Sequence, residues 1–466
     1  MKSRILIFVF GSENTAKTFA KHKVLNQIHE LGDFQPVIVV RTNTKNKSSA
    51  DLFETFTVGD IKSYEGDLAN DKNYLIWMWS TMIIYLFRSK AFKMRAYRRF
   101  CGKYRKAYFQ GLHQFVLNLL KLLTRKDNFW LYLSLIPPLN FFVNKILLNK
   151  IVESNQLTQI LRSYQPLGVA LVSNGAESLI EEVRLSSSKL NIPWFMIVDN
   201  WDNVSSKSVF AFQPDLLLVW SRQQKNLAMK IHRFSGDDIK IVGSQRLGEY
   251  WASPHNINLT TTVKYKLLYV GQQEPYEELV DLYQLISNSK SVASVKYRPH
   301  PLRIFERSEI EMIRSLSRFG RLQLSLSPDQ NNFFFLKQVL NTTEESPLEA
   351  LKSVDCVVGP PTTMILESTL LRKLTFVVSR DDKLHRTTSS RFWENYEHFF
   401  ELKNISFLFE VNDLQSFDSV LQRAITNFDG ITKEDIEILN YLVDKKSSNY
   451  VINLNKIFKE FFETKI

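Results

Sequence analysis

The sequence is poor in the residue types that mark staples, metals and redox centres. Of its 466 residues only two are cysteine, Cys101 and Cys356, far apart and in no metal or redox spacing. A disulfide framework is thereby excluded and a reducing compartment expected. Eight histidines are scattered without an HExxH or comparable zinc pattern. There is no repeat of fixed short period and no low-complexity tract. No apolar run is long enough to cross a bilayer. Residues 75–87, LIWMWSTMIIYLF, would reach about 20 Å as a helix against the ~30 Å required. Residues 129–143 are interrupted by Pro137-Pro138. The opening MKSRILIFVFGSENTAKTF has a basic start, but its apolar run covers only residues 5–10 and no A-x-A cleavage site follows. It reads as a first buried strand rather than a signal peptide. With 44% hydrophobic and 23% charged residues, the chain is globular in composition and long enough for two or three domains.

One long stretch lacks acidic residues altogether. From Lys72 to Lys126 there are thirteen Lys and Arg and no Asp or Glu. The whole chain carries a formal charge of +12, and outside that window 47 basic residues face 48 acidic ones. The entire excess therefore sits in one segment, where RSKAFKMRAYRRFCGKYRKAYF interleaves cations with aromatics. That pattern suits a membrane surface, with Trp77 and Trp79 in the interface and Arg95, Arg98, Arg99, Lys103, Arg105 and Lys106 on anionic headgroups. The plainer reading is a buried apolar helix beside a solvated basic one. RNA contact uses the same residue types, but no RNP, KH or helix-turn-helix pattern is present, so no nucleic-acid partner is expected.

Apolar strand-like runs alternate with helical stretches, which predicts α/β layering with largely parallel sheets. Strands are expected at residues 4–10, 36–40, 169–173, 194–198, 216–220 and 240–242. A second series follows at 266–270, 292–297, 356–358 and 375–378. Between the two series residues 251–264 are polar and aperiodic, a candidate linker. The predicted organisation is a Rossmann-like acceptor domain over 1–250, with a helical basic-aromatic insertion at about 72–150. A Rossmann-like nucleotide domain over 265–432 and terminal helices over 433–466 complete it. The two domains are expected to face an interdomain cleft. Ligands of open parallel sheets sit beyond the carboxyl ends of the strands, and polar clusters follow several of these runs directly.

The stretch SVKYRPHPLR carries the sharpest local signal. Pro299 and Pro301 fix their own φ and push Arg298 and His300 toward extended geometry. An arginine fork and an imidazole are thus presented to an anion with little freedom left to lose. A structural turn is the alternative. Further on, VDCVVGPPTTMILESTLLRKLTFVVS reads as strand, tight turn, helix from about 362 to 371, and strand. Thr362 and Thr363 at a helix N-terminus suit an anion, or simply cap the helix. Glu367, one turn on, is placed to meet a sugar hydroxyl. Arg386 and Arg391 on a later polar loop either close over a diphosphate or decorate the surface.

A strand-end His-Pro, then a strand, a turn and a Ser/Thr helix bearing Glu, resembles the carboxyl-terminal domain of GT-B glycosyltransferases. Likenesses include the CDP-glycerol glycerophosphotransferases, the His-Pro capsule transferases for sialic acid and Kdo, and the UDP-N-acetylglucosamine 2-epimerase fold. DNWDNVSSK also resembles a motif of bacterial surface-carbohydrate transferases. The resemblance spans roughly residues 165–400. It implies that Arg298, His300, Pro301, Thr362, Thr363 and Glu367 line a donor-nucleotide site, to which Gln272, directly after a strand, and Arg386 on the later loop are added as candidates. The chain departs from the glycerophosphotransferases in having Pro-Pro-Thr-Thr where they usually show Asp-Tyr-Ser-Ser, and it lacks a clear counterpart of the epimerases' catalytic set.

Glycosyl transfer needs a group to take the acceptor proton and stabilisation of a leaving phosphate. The candidate bases are Asp202, Asp199, Glu13 and Glu177, and Ser12 and Trp201 are candidate acceptor contacts, the indole stacking on a sugar face. Asp199 and Asp202 also suit a purely structural turn. No DxD pattern sits at a strand end, so no metal and no cofactor are expected. The resulting expectation is a metal-independent GT-B glycosyltransferase, peripheral on the cytoplasmic face of the plasma membrane. It would pass a nucleotide-activated sugar to a glycan or lipid-linked acceptor for surface polysaccharide such as capsule. The rivals are a CDP-linked polyol-phosphate transferase, a sugar-nucleotide epimerase and a membrane-associated RNA-binding protein.

Overall fold

The computed structural model describes residues 4–42 (except 12), 61–65, 89, 91–92 and 155–465, with short gaps at 174, 176–178, 209, 211, 254–263, 273–277, 329–332, 339 and 382–387. The chain forms two compact units. The first comprises residues 1–248 together with 441–466, and the second residues 249–440.

Seven parallel strands build the first unit: β1 (Ile5–Phe10), β2 (Gln35–Thr42), β3 (Ile61–Glu65), β4 (Gly168–Ser173), β5 (Trp194–Val198), β6 (Leu216–Val219) and β7 (Ile239–Ile241), in the order β3-β2-β1-β4-β5-β6-β7. That is the Rossmann order with one strand added, and its switch point lies between β1 and β4. Successive side chains of a strand face opposite ways, and here both faces are covered. Ile7 and Val9 join a core with Val169, Leu171, Met196 and Leu217, while Leu6, Phe8 and Phe10 join one with Ala170, Phe195 and Leu218. Burial on both faces is why these strands read as continuous apolar runs.

The second core is closed by the end of the chain. In the helix Tyr450–Lys465, Phe458 meets Phe8 edge-on at 6.3 Å, Phe461 meets Phe195 at 4.8 Å, and Phe462 meets Phe34 at 6.0 Å. Gly168 makes room for this packing, since a Cβ there would lie 2.6 Å from the Phe195 ring and 2.9 Å from that of Phe462.

The second unit repeats the plan with β8 (Tyr265–Val270), β9 (Val292–Arg298), β10 (Leu322–Leu326), β11 (Thr342–Glu344), β12 (Cys356–Gly359), β13 (Leu374–Val378) and β14 (Leu408–Val411). All pairings are parallel, in the order β11-β10-β9-β8-β12-β13-β14. The switch point falls between β8 and β12.

Two expectations need correction. The sequence reading missed β3, β10, β11 and β14. The proposed linker begins inside ordered structure, because Trp251 and Ala252 belong to the helix Gly248–Ala252, while its residues 254–263 lie outside the described residues. The region expected to hold terminal helices contains Lys433–Leu442, mostly in the second unit, and Tyr450–Lys465, in the first. The basic-aromatic insertion, with Trp77, Trp79, Arg95, Arg98, Arg99, Lys103, Arg105 and Lys106, lies outside the described residues. Among the described residues no helix is long and apolar enough to cross a membrane.

Candidate functional site

In each unit the candidate residues gather at the carboxyl edge of the sheet. In the second unit, the Arg298 and Thr362 loops leave β9 and β12, the two neighbours of β8. Both therefore open on the same edge beside the switch point. The approach is close at β8 itself. Gly271 N–H donates to the Arg298 carbonyl at 2.8 Å, and a side chain at Gly271 would overlap the Glu278 carboxylate.

Both arginines of SVKYRPHPLR turn inward. Arg298, expected as a phosphate fork, is 5 % exposed and donates to Ser325 Oγ at 2.8 Å, Ser327 Oγ at 2.5 Å and the Glu345 carbonyl at 3.2 Å. It ties β9 to the ends of β10 and β11. Its pKa is lowered by burial, against the pull of Glu345, Glu367 and Tyr250. Arg303 donates to Glu309 Oε1 at 2.7 Å and stands 3.6 Å from Glu278.

His300 is what the loop leaves half-buried at the edge. Its Nδ1 accepts from Leu302 N–H at 3.1 Å, so in the neutral ring Nε2 carries the proton. Pro301 is exposed beside it. Gln272, after β8, is buried and donates to Ser389 Oγ at 3.5 Å.

Across the switch point, Thr362 occupies the N-cap position of the helix Thr363–Leu370, but its side chain makes no capping bond. Its Oγ1 is buried and has no hydrogen-bond partner. The ordinary capping role is therefore not the one this hydroxyl plays. Thr363 opens the helix with its side chain partly exposed. Glu367, expected to meet a sugar hydroxyl, is 4 % exposed and accepts from Tyr250 O–H at 3.0 Å, so it is engaged within the unit. Arg391 stands 3.8 Å from Asp381, and Arg386 lies outside the described residues.

Beneath the loops lies a buried ionisable cluster that the sequence reading missed. Tyr269 O–H donates to Asp281 Oδ2 at 2.7 Å, and Arg380 pairs with Asp281 Oδ1 at 2.8 Å. Burial pushes Glu278 up to about 7, against Tyr297 and Arg303, while the charges of Asp281 and Glu309 push the same way as burial. Only the arginines gave a sequence signal here, because the acids lie on a helix face that reads as surface.

In the first unit Asp199 follows β5, and its Oδ2 accepts from Thr15 Oγ1 at 3.3 Å. Thr15 stands on the helix after β1, so the bond spans the switch point. Burial raises the Asp199 pKa, with Arg246, the Thr15 hydroxyl and Lys207 pulling it down and Asp202 adding to the rise. Arg246 reaches Asn200 Oδ1 at 3.5 Å and lies over the Trp220 ring. Asp202 forms an ion pair with Lys207 at 2.7 Å, and its carbonyl accepts from the hydroxyls of Ser205 and Ser206.

Trp201, expected as a sugar platform, is 1 % exposed and donates from its indole to Gln223 Oε1 at 2.8 Å. Gln224 clamps the same turn by donating to the carbonyls of Asn200 and Trp201. The turn that carries the aspartates is thus held from outside by Gln223 on the Trp201 indole and by Gln224 on its carbonyls. Gly175 adopts φ +71° where a Cβ would strike Ser208, a conformation that favours glycine. Glu13 opens its helix, while Ser12 and Glu177 lie outside the described residues. Arg246, Thr15 and Gln223 carry no motif and were not anticipated.

Two Rossmann-like parallel units of this kind define the GT-B class of fold. A Listeria monocytogenes structure, provisionally assigned as a UDP-N-acetylglucosamine 2-epimerase, is similar at 10% identity, over 98% of this chain and 97% of that one, with a TM-score of 0.51. A Rickettsia africae glycosyltransferase matches at 13% identity over 99% of both chains with a TM-score of 0.48. The Neisseria meningitidis UDP-GlcNAc 2-epimerase bound to UDP-GlcNAc matches at 10% identity, over 97% of this chain and 100% of that one, with a TM-score of 0.49. No protein-family model and no curated protein matches the chain. The fold is therefore α/β and GT-B-like.

Proposed function

We propose that the protein is a glycosyltransferase that takes a sugar from a nucleotide-diphosphate donor. The observation that carries this reading is the buried, unpartnered Thr362 Oγ1 at the start of a helix flanking the second unit's switch point. An orphaned hydroxyl and free helix N–H groups make a ready anion site. His300 rises from the same sheet edge with Nε2 as a donor. Thr362, Thr363, His300 and Gln272 would hold the diphosphate and base, with Arg298 and Glu367 stiffening the frame behind them. In the first unit Asp199 is the proposed base, because burial favours its uptake of a proton, against the pull of Arg246. The acceptor would be a glycan or lipid-linked sugar, and the basic-aromatic segment would bring the enzyme to an anionic membrane surface.

A thermal-shift screen with CMP, CDP, UDP and GDP, followed by calorimetry on the best, tests the donor site. His300→Ala and Thr363→Ala should each weaken binding about tenfold, roughly 1.4 kcal/mol. Unchanged affinity in both would remove the reading. Incubation with nucleotide sugars separates transfer from epimerisation, since a transferase releases free nucleotide and an epimerase returns an isomeric nucleotide sugar.

A further inference from the structure

Tyr450 opens the last helix, yet it is only 4 % exposed. Its ring meets Phe19 edge-on with centroids 6.3 Å apart. Phe19 lies four residues after Thr15 on one helix, hence on the same face, and Thr15 is the donor to Asp199. On the other side Ser447, three residues before Tyr450, accepts from Ser244 N–H at 2.9 Å. Ser244 begins the short loop that ends in Arg246, which reaches the Asn200 side chain. The phenol is thus bracketed by the two segments that hold the Asp199 turn, and the Asp199 charge bears on it.

The Tyr450 hydroxyl makes no hydrogen bond. A buried phenol O–H ordinarily finds a partner. Ser244 Oγ and Gln245 Oε1 on the adjoining loop are orphaned in the same way. The group that would complete such a site must accept from the phenol and donate to the carboxylate. A hydroxyl does both, whereas a metal cation or a fully deprotonated anion does not.

We propose that Tyr450 is a positioning residue for Asp199, the two side chains holding one hydroxyl between them. The hydroxyl belongs to a water or to the acceptor sugar. This rests on the reading of Asp199 as the base of a glycosyl transfer, but the arrangement can be tested without any turnover. Donation from the phenol favours the ionised carboxylate, as do Arg246, Lys207 and Thr15, while Asp202 opposes it.

The test is an infrared titration of the protein labelled with carboxyl-13C aspartate, Asp199→Asn serving to assign the band. Tyr450→Phe keeps the ring contact with Phe19 and deletes only the oxygen. The midpoint of Asp199 should rise by about half a unit or more in this variant, with the melting temperature unchanged. Adding methyl β-glucoside to the wild-type protein then distinguishes the sources, since a sugar hydroxyl moves the midpoint and a resident water does not. An unmoved midpoint in Tyr450→Phe overturns the proposal whether or not the enzyme transfers sugar. A large loss of melting temperature overturns it too, because the hydroxyl would then serve the fold. In an active preparation the acid limb of kcat/KM should move to higher pH while the donor KM stays fixed.

Discussion

Leaving a threonine hydroxyl buried and unpartnered costs on the order of 1–3 kcal/mol, and Thr362 does so where a helix begins. If that cost is kept for a ligand, Thr362→Val separates stability from binding. Its melting temperature should hold or rise, because the orphan is removed, while nucleotide affinity falls about tenfold. Loss of both together would make the hydroxyl structural. Glu278 permits a second prediction. Its folded pKa of about 7 lies above the ordinary glutamate value of 4.5, so between those values the folded state binds more protons than the unfolded one. Stability therefore falls as pH rises across that window, by on the order of 3 kcal/mol, and the penalty is complete above it. Urea titrations of wild type and Glu278→Gln from pH 4.5 to 8 should show a slope in the first that flattens in the second. Parallel slopes would mean that Arg303 neutralises the carboxylate more fully than burial opposes it.

Among the elements, the last helix is the one whose role depends most on partners remote in the chain. Phe458 touches Phe8, Phe34 and Phe195, so Phe458→Ala should cost about 3–5 kcal/mol in chemical denaturation. Gly168→Ala inserts a methyl between two rings already in contact and should cost about 1–3 kcal/mol. A neutral outcome at Gly168 would show that the helix can shift on the sheet. The ten strands legible in the sequence are mostly interior ones, buried on both faces and therefore written as unbroken apolar runs. Three of the four that escaped, β3, β11 and β14, are edge strands. A half-solvated edge carries no such run: TTE and LFEV look like loops. The fourth, β10, alternates leucine with Gln and Ser and lies next to an edge.

Across the whole chain, the +12 charge traces to one segment, most of which lies outside the described residues. The thirteen cations between Lys72 and Lys126 predict sedimentation with phosphatidylserine vesicles at low ionic strength. Binding should be lost as salt shortens the Debye length from ~30 Å at 0.01 M toward 3 Å at 1 M. Protein that ignores anionic vesicles at low salt would leave the segment to packing or to another partner. Tight, steeply salt-dependent RNA binding would favour the nucleic-acid alternative.

By itself the sequence determined the layered α/β plan, the succession of two parallel sheets, and the placing of RPHP and PPTT just beyond strands. Those follow from local properties, namely apolar runs, proline geometry and turn chemistry, which any reader of the chain can see. Only the tertiary structure decided which polar groups are consumed by the fold. Arg298, Glu367 and Trp201 looked like ligand contacts but are engaged inside their units, whereas Thr15, Arg246 and Tyr450 surround Asp199 with no motif to announce them. The reason is that a side chain's hydrogen-bond partner is set by sheet order. Sheet order brings together residues as far apart as Thr15 and Asp199, 184 positions from each other, and no local pattern records it.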